Sequence, residues 1–186
     1  MRRFAMNAVL LGGLALMLPA CGSSNSDPAV VDVDPDPVPD PIPDNPGIET
    51  FPNEGSAHVP VGSVVVYLTD PPTSGNHYPF PWSGGYYEVP IEAPYLVHSM
   101  EHGGVIIYYN PATVTDAEKD SLKTLAQAHP GLFAMVVCVP RNDPAYPIIL
   151  TAWTHRQRLT TFDQSDIDGF VTLFLDQGPE HEPETP

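Results

Sequence analysis

The sequence predicts an α+β fold: a single domain with a mixed or antiparallel sheet and two main helices packed on it. Three observations carry this. β-Branched and aromatic runs bounded by turn residues mark strands at 64–67, 105–109, 133–139 and 148–153. Apolar side chains at helical spacing mark helices at about 115–128 and 165–175. After the first run the elements follow in the order strand, helix, strand, strand, helix, a pattern suited to helices laid on one sheet.

Taken in order, the domain spans residues 54–178, near the usual size for one. His58 opens it, ahead of the 64–67 strand. Asp70-Pro-Pro-Thr-Ser-Gly-Asn-His-Tyr-Pro79 is a loop of turn residues that Pro81 and Gly84-Gly85 prolong to Tyr87. Long stretches without regular structure inside compact domains tend to carry function, and the prolines here fix where His77 points. Pro94 suits the first turn of a short helix. Gly103 suits the left-handed position just past its end. That helical turn feeds the central strand, Val105-Ile-Ile-Tyr-Tyr109. Thr115-Asp-Ala-Glu118 reads as a capping box, with Leu122, Leu125 and Ala126 facing inward and Pro130-Gly131 as the stop. The 133–139 and 148–153 strands are joined by the Asn142-Asp143-Pro144 turn. The last helix presents Ile167, Phe170, Val171 and Phe174.

The N-terminus is read separately. Arg2 and Arg3 precede a short apolar run, so residues 1–20 are expected to be a lipoprotein signal peptide, too short for a membrane span. Leu18-Pro-Ala-Cys21 resembles a bacterial lipobox, which implies cleavage before Cys21 and a lipid anchor on its thiol. Residues 21–53 form an acidic, proline-rich tether in which Asp and Pro alternate, stiff and extended at about 3.1 Å per residue. Residues 179–186 are an acidic tail. The expected location is therefore the cell envelope, membrane-anchored and facing the periplasm or the exterior. Once Arg2 and Arg3 leave with the signal, five basic side chains oppose 23 acidic ones, a formal charge of −18. Nucleic acid is not an expected partner for such a surface. With Cys21 lipidated, Cys138 has no disulfide partner, and the run around it reads as a buried strand.

Chemistry concentrates in the histidines. His58, His77, His98 and His102 fall within 45 residues, each beside turn or cap signals, and neutral imidazole is the commonest metal ligand. On a helix, His98 and His102 stand one above the other about 5–6 Å apart. On a strand they would be roughly 13 Å apart, too far for one ion. Met100 lies between them and is a further candidate ligand, although two positions along a helix turn it roughly 200° away. Thioether with imidazole suits Cu(I); imidazoles alone suit Cu(II) or zinc. Glu101 is expected as an outer partner orienting an imidazole N–H. His98-Ser-Met-Glu-His102 also fits the inverted zincin pattern H-x-x-E-H, but Gly103-Gly104 ends the helix at once. A non-metal alternative is a binding surface made of Tyr78, Phe80, Trp82, Tyr86 and Tyr87 in the proline-rich loop.

The motifs Pro-Pro-Thr-Ser-Gly-x-His-Tyr-Pro and His-Ser-x-Glu-His-Gly-Gly-Val-x-Ile-Tyr-Tyr resemble an uncharacterised family of bacterial envelope proteins, a domain of unknown function. The resemblance runs from about His58 to Trp153. It implies no activity, but it makes His58, His77, His98, Glu101 and His102 the positions of interest; Met135 and Cys138 have no counterpart in the pattern. The expectation is a lipid-anchored envelope protein that binds a metal ion at His77, His98 and His102, with His58 and Met100 as further candidates. Copper is favoured over zinc, for handling or delivery to an envelope partner rather than turnover.

Overall fold

The structure is a computed structural model and describes residues 47–180. The expected signal peptide, Cys21 and the tether up to residue 46 lie outside the described residues, as do 181–186. The strands are β1 (Glu49–Thr50), β2 (Gly85–Tyr86), β3 (Val105–Tyr109), β4 (Val136–Pro140), β5 (Ile148–Ala152) and β6 (His155–Leu159). The helices are α1 (Ala93–Glu101), α2 (Asp116–Ala128) and α3 (Gln164–Phe174). All six strands form one sheet in the order β1-β6-β5-β3-β4-β2. Central β3 runs parallel to β4 and antiparallel to β5, so the sheet is mixed and the fold is α+β. None of the described helices is long and apolar enough to cross a membrane.

Alternation along the strands divides the core in two, because successive side chains leave opposite faces of a sheet. Val105, Ile107, Tyr109, Val136, Cys138, Ile148 and Leu150 meet α2 and α3 through Leu122, Ala126, Ile167 and Phe170. Ile106, Tyr108, Val137, Val139 and Ile149 face the other way and meet α1 through Leu96, Val97 and Met100. The capping box on α2 forms as its sequence predicts: Glu118 N–H donates to Thr115 Oγ1, and Thr115 N–H donates to Glu118 Oε2 at 2.7 Å. Asp163 caps α3 by accepting from the N–H groups of Ser165 and Asp166.

The 64–67 run, expected as a strand, is not part of the sheet. Both sheet edges are already taken by β1 and β2, and Val64 and Val66 are exposed. Tyr67 instead braces the proline-rich loop, its hydroxyl donating to Asn76 O at 2.8 Å. Conversely, His-Arg-Gln-Arg-Leu forms β6, although its composition gives little strand signal. It pairs with β5 along its whole length in a hairpin turned at Trp153-Thr154, and Glu49 of β1 adds bonds to Arg156 at 2.9 Å and Arg158 at 3.1 Å. Burial alone would raise the Glu49 carboxyl, but the two guanidinium groups hold it below its usual range. The chain thus joins the sheet at Glu49, ahead of the expected boundary at 54.

Candidate metal centre

The site lies on the α1 face, where three segments converge. α1 starts with Pro94 in its first turn and runs nine residues, longer than the single turn expected. Leu96, Val97 and Met100 spend one side of it on the apolar core. Positions 98, 101 and 102 share another side, as i, i+3 and i+4 spacing dictates. Past its end Gly103 takes φ +76°, and a Cβ there would meet the backbone of Asp176 at 2.7 Å.

The second segment is the loop carrying His77. Gly75 sits at φ +121° against the Tyr67 ring, turning the chain so that its carbonyl accepts from His77 Nδ1 at 2.8 Å. The loop is tied down on both sides: Thr154 N–H donates to Thr73 O, and Glu54 N–H to Ser74 Oγ. The third segment carries His58 and pairs with the loop as an isolated parallel bridge, His58 to His77. Val59 N–H donates to His77 O, and His77 N–H to Ala57 O.

These segments bring His58, His77, His98 and Glu101 together. One ligand atom from each lies within 4.8 Å of all the others. The three imidazoles crowd one another, with centroids 4.7 to 5.0 Å apart. His77 is fully buried, and His98 and Glu101 are 3% exposed. The His58 side chain is half exposed and leaves one side of the cluster open to solvent.

Tautomers follow from the partners. A carbonyl oxygen only accepts, so an imidazole nitrogen bonded to one must be the donor. His77 Nδ1 faces Gly75 O, His98 Nδ1 faces Tyr78 O at 2.6 Å, and His102 Nδ1 faces Leu132 O at 3.1 Å. In each neutral ring the lone pair is therefore on Nε2. Orientation by a backbone carbonyl on the far nitrogen is also how metal-ligating histidines are usually held. The Nε2 atoms then face acceptors. His77 Nε2 lies 2.9 Å from Glu101 Oε2, yet neither atom has a hydrogen bond among the described residues. His98 Nε2 lies 3.1 Å from His102 Nε2. Two lone pairs at such distances repel unless a proton or a metal ion lies between them. Burial, reinforced by the neighbouring imidazoles, pushes His98 down to about 4 against the opposing bond to Tyr78 O. At neutral pH it offers a lone pair.

Each residue expected at the site has a definite place. His58, His77 and His98 converge, and Glu101, expected to orient a ligand from outside, has its carboxylate inside the group. His102 is not among the four; its ring stacks on Phe133 and its Nε2 reaches Glu180 Oε2 at 3.2 Å. Met100 points away. Two positions along a helix reverse a side chain's direction, and Met100 is wholly buried with Met135 in the apolar core. Cys138 is buried in the opposite core, where loss of solvent pushes its thiol up. The aromatic loop is mostly consumed by packing: Tyr78 and Trp82 meet Tyr95 edge-on, and Tyr86 stacks on Tyr109. Of its five members Phe80 is the large exposed one. Sequence reasoning gave Glu180 no role at the site, because nothing local sets it apart from the other acids of the tail.

Fold and site together define an α+β domain with a cluster of three histidines and a glutamate that can hold a metal ion. Residues 58–186 match the family described as Protein of unknown function (DUF3105), and the chain belongs to that family. No curated protein and no solved structure matches it.

Proposed function

We propose that this is a lipid-anchored envelope protein that holds one divalent transition-metal ion at His58, His77, His98 and Glu101, and handles or delivers it rather than turning over a substrate. The observation that carries the reading is the convergence of four ligand atoms whose buried imidazoles are pinned through Nδ1. Sequence features at Leu18-Pro-Ala-Cys21 and in the Asp/Pro run supply the anchor and the spacer.

Donor chemistry narrows the metal. Met100, Met135 and Cys138 lie in the cores, so among the described residues Cu(I) finds no soft ligand at the cluster. Three imidazoles and a carboxylate suit Cu(II) and zinc, and of these Cu(II) binds such donors more tightly. Copper therefore stays ahead of zinc, in its divalent state. A zinc hydrolase of the H-x-x-E-H kind needs Glu101 free to activate water. With its carboxylate beside His77 Nε2 inside the ligand group, that reading has less support.

The test is elemental analysis of protein purified without chelators or a histidine tag, followed by competitive Cu(II) and Zn(II) titration. One tight equivalent is expected, with imidazole nitrogen coupling in the Cu(II) EPR spectrum, and loss of both in His77→Ala. Unchanged uptake in that variant, or no uptake by the parent protein, would overturn the reading.

A further inference from the structure

His102 stands outside the group of four, yet it is built in the same manner. Its Nδ1–H is committed to Leu132 O, its ring lies within 3° of parallel to Phe133 with centroids 4.3 Å apart, and it is 8% exposed. Its Nε2 consequently faces His98 Nε2 at 3.1 Å and Glu180 Oε2 at 3.2 Å. Ligands about 2.0–2.1 Å from a shared tetrahedral ion stand about 3.3 Å apart. Both contacts are close to that spacing.

Glu180 is brought there by a strap that closes over the end of α1. Asp176 N–H donates to Gly103 O at 2.9 Å, and Glu180 N–H donates to Glu101 O at 3.0 Å. Between them Gly178 packs so closely on Glu101 O and Gly103 N that a side chain would collide. The Glu180 carboxylate remains 55% exposed. A wet carboxylate, a nearly buried imidazole and a buried imidazole thus form a line from solvent to the cluster.

We infer that Glu180 and His102 form an outer cation seat, from which the ion passes to His98 and so into the inner one, and by which it is withdrawn. The inference rests on the inner seat proposed above. His98 Nε2 has one lone pair and serves one seat at a time. The bond to Glu180 breaks as His98 binds the ion beside His102, and the bond to His102 breaks as those to His58, His77 and Glu101 form. Only coordination bonds are exchanged, so the oxidation state is unchanged and no further reactant is needed.

The experiment is stopped-flow uptake of Cu(II) by protein carrying Trp82→Phe, read as quenching of Trp153, whose ring lies edge-on to His77 at 6.4 Å. Release is followed with EDTA. Glu180→Gln and His102→Gln should slow both uptake and release by about tenfold or more, in the range by which local charge alters association rates, while the equilibrium affinity stays near that of the parent. Glu88→Gln removes an exposed charge elsewhere and should leave both rates unchanged; circular dichroism confirms that each variant folds. Unaltered rates in Glu180→Gln and His102→Gln would overturn the inference and leave the inner seat standing. Affinity falling with uptake intact would make His102 a permanent ligand and also overturn it. Absence of uptake by the parent protein would remove both seats.

Discussion

The two faces of the sheet have been given different work. Against α2 and α3 the contacts are almost wholly apolar, and even the thiol there is dry: burial pushes Cys138 up and keeps it protonated. Against α1 the same strands support a smaller apolar core with three buried polar groups, His77, His98 and Glu101, and the more exposed His58 at its rim. One face supplies stability by excluding water. The other uses that rigidity to hold polar atoms at contact distance, an arrangement that a proton or a bound cation between them stabilises. Substitutions on the first face should therefore change stability and spare the site.

Phe170 offers the largest test of that division. It is 1% exposed between α3 and the sheet and packs on Phe174 at 4.6 Å. Phe170→Ala should cost about 3–5 kcal/mol of folding stability through lost burial and the cavity left behind. Urea midpoints measure the loss. Metal stoichiometry of the folded fraction should not change; a parallel loss of ligand binding would show that the two faces are coupled.

How much of this was legible in the sequence follows the same division. Local chemistry repeated along the chain was readable: the capping box at Thr115, the periodic helices and the β3 run all form as expected. The histidines were readable as residue types, and the Gly103 turn as a backbone conformation. What could not be read depends on partners distant in sequence. The outer edge of β6 is taken by β1, where Glu49 meets Arg156 and Arg158, 107 and 109 positions away. Glu101 joins the ligand group only because the His77 loop folds onto α1, and Glu180 reaches His102 only because the strap returns over Gly103. Met100, a candidate only if the helical turn were irregular, lies in the apolar core because α1 is regular through it.

A smaller effect comes from protons on the ligand face. His98 sits at about 4 in the folded protein because it is buried, whereas an unfolded histidine titrates near 6.5. Between these values the unfolded chain binds a proton that the native chain does not. Stability therefore rises with pH across the window, and is lost as pH falls from about 6.5 toward 4. Glu49, held below its usual range, adds a loss of the same sign at lower pH. Chelator-treated protein should show urea midpoints falling from about pH 7 to about pH 4.5. His98→Gln should flatten that slope; a slope unchanged in the variant would mean that other groups set it.

The smallest effect lies farthest from the ligands. Thr115 caps α2, on the other face of the sheet, and its hydroxyl closes the first turn of that helix by accepting from Glu118 N–H at 3.4 Å and donating to Glu118 Oε2 at 2.7 Å. Its exchange for alanine removes both of these hydroxyl bonds, a capping loss of about 1 kcal/mol. The reciprocal bond from Thr115 N–H to the Glu118 carboxylate survives, because it uses backbone. Thr115→Ala should therefore lower the urea midpoint by less than a third of the Phe170→Ala shift, without moving the pH slope or the metal affinity. Thr115→Ser, which keeps the hydroxyl, should restore most of the loss. If Thr115→Ala alone weakened metal binding, α2 would be transmitting strain through the sheet to α1, and the division of labour between the two faces would be wrong.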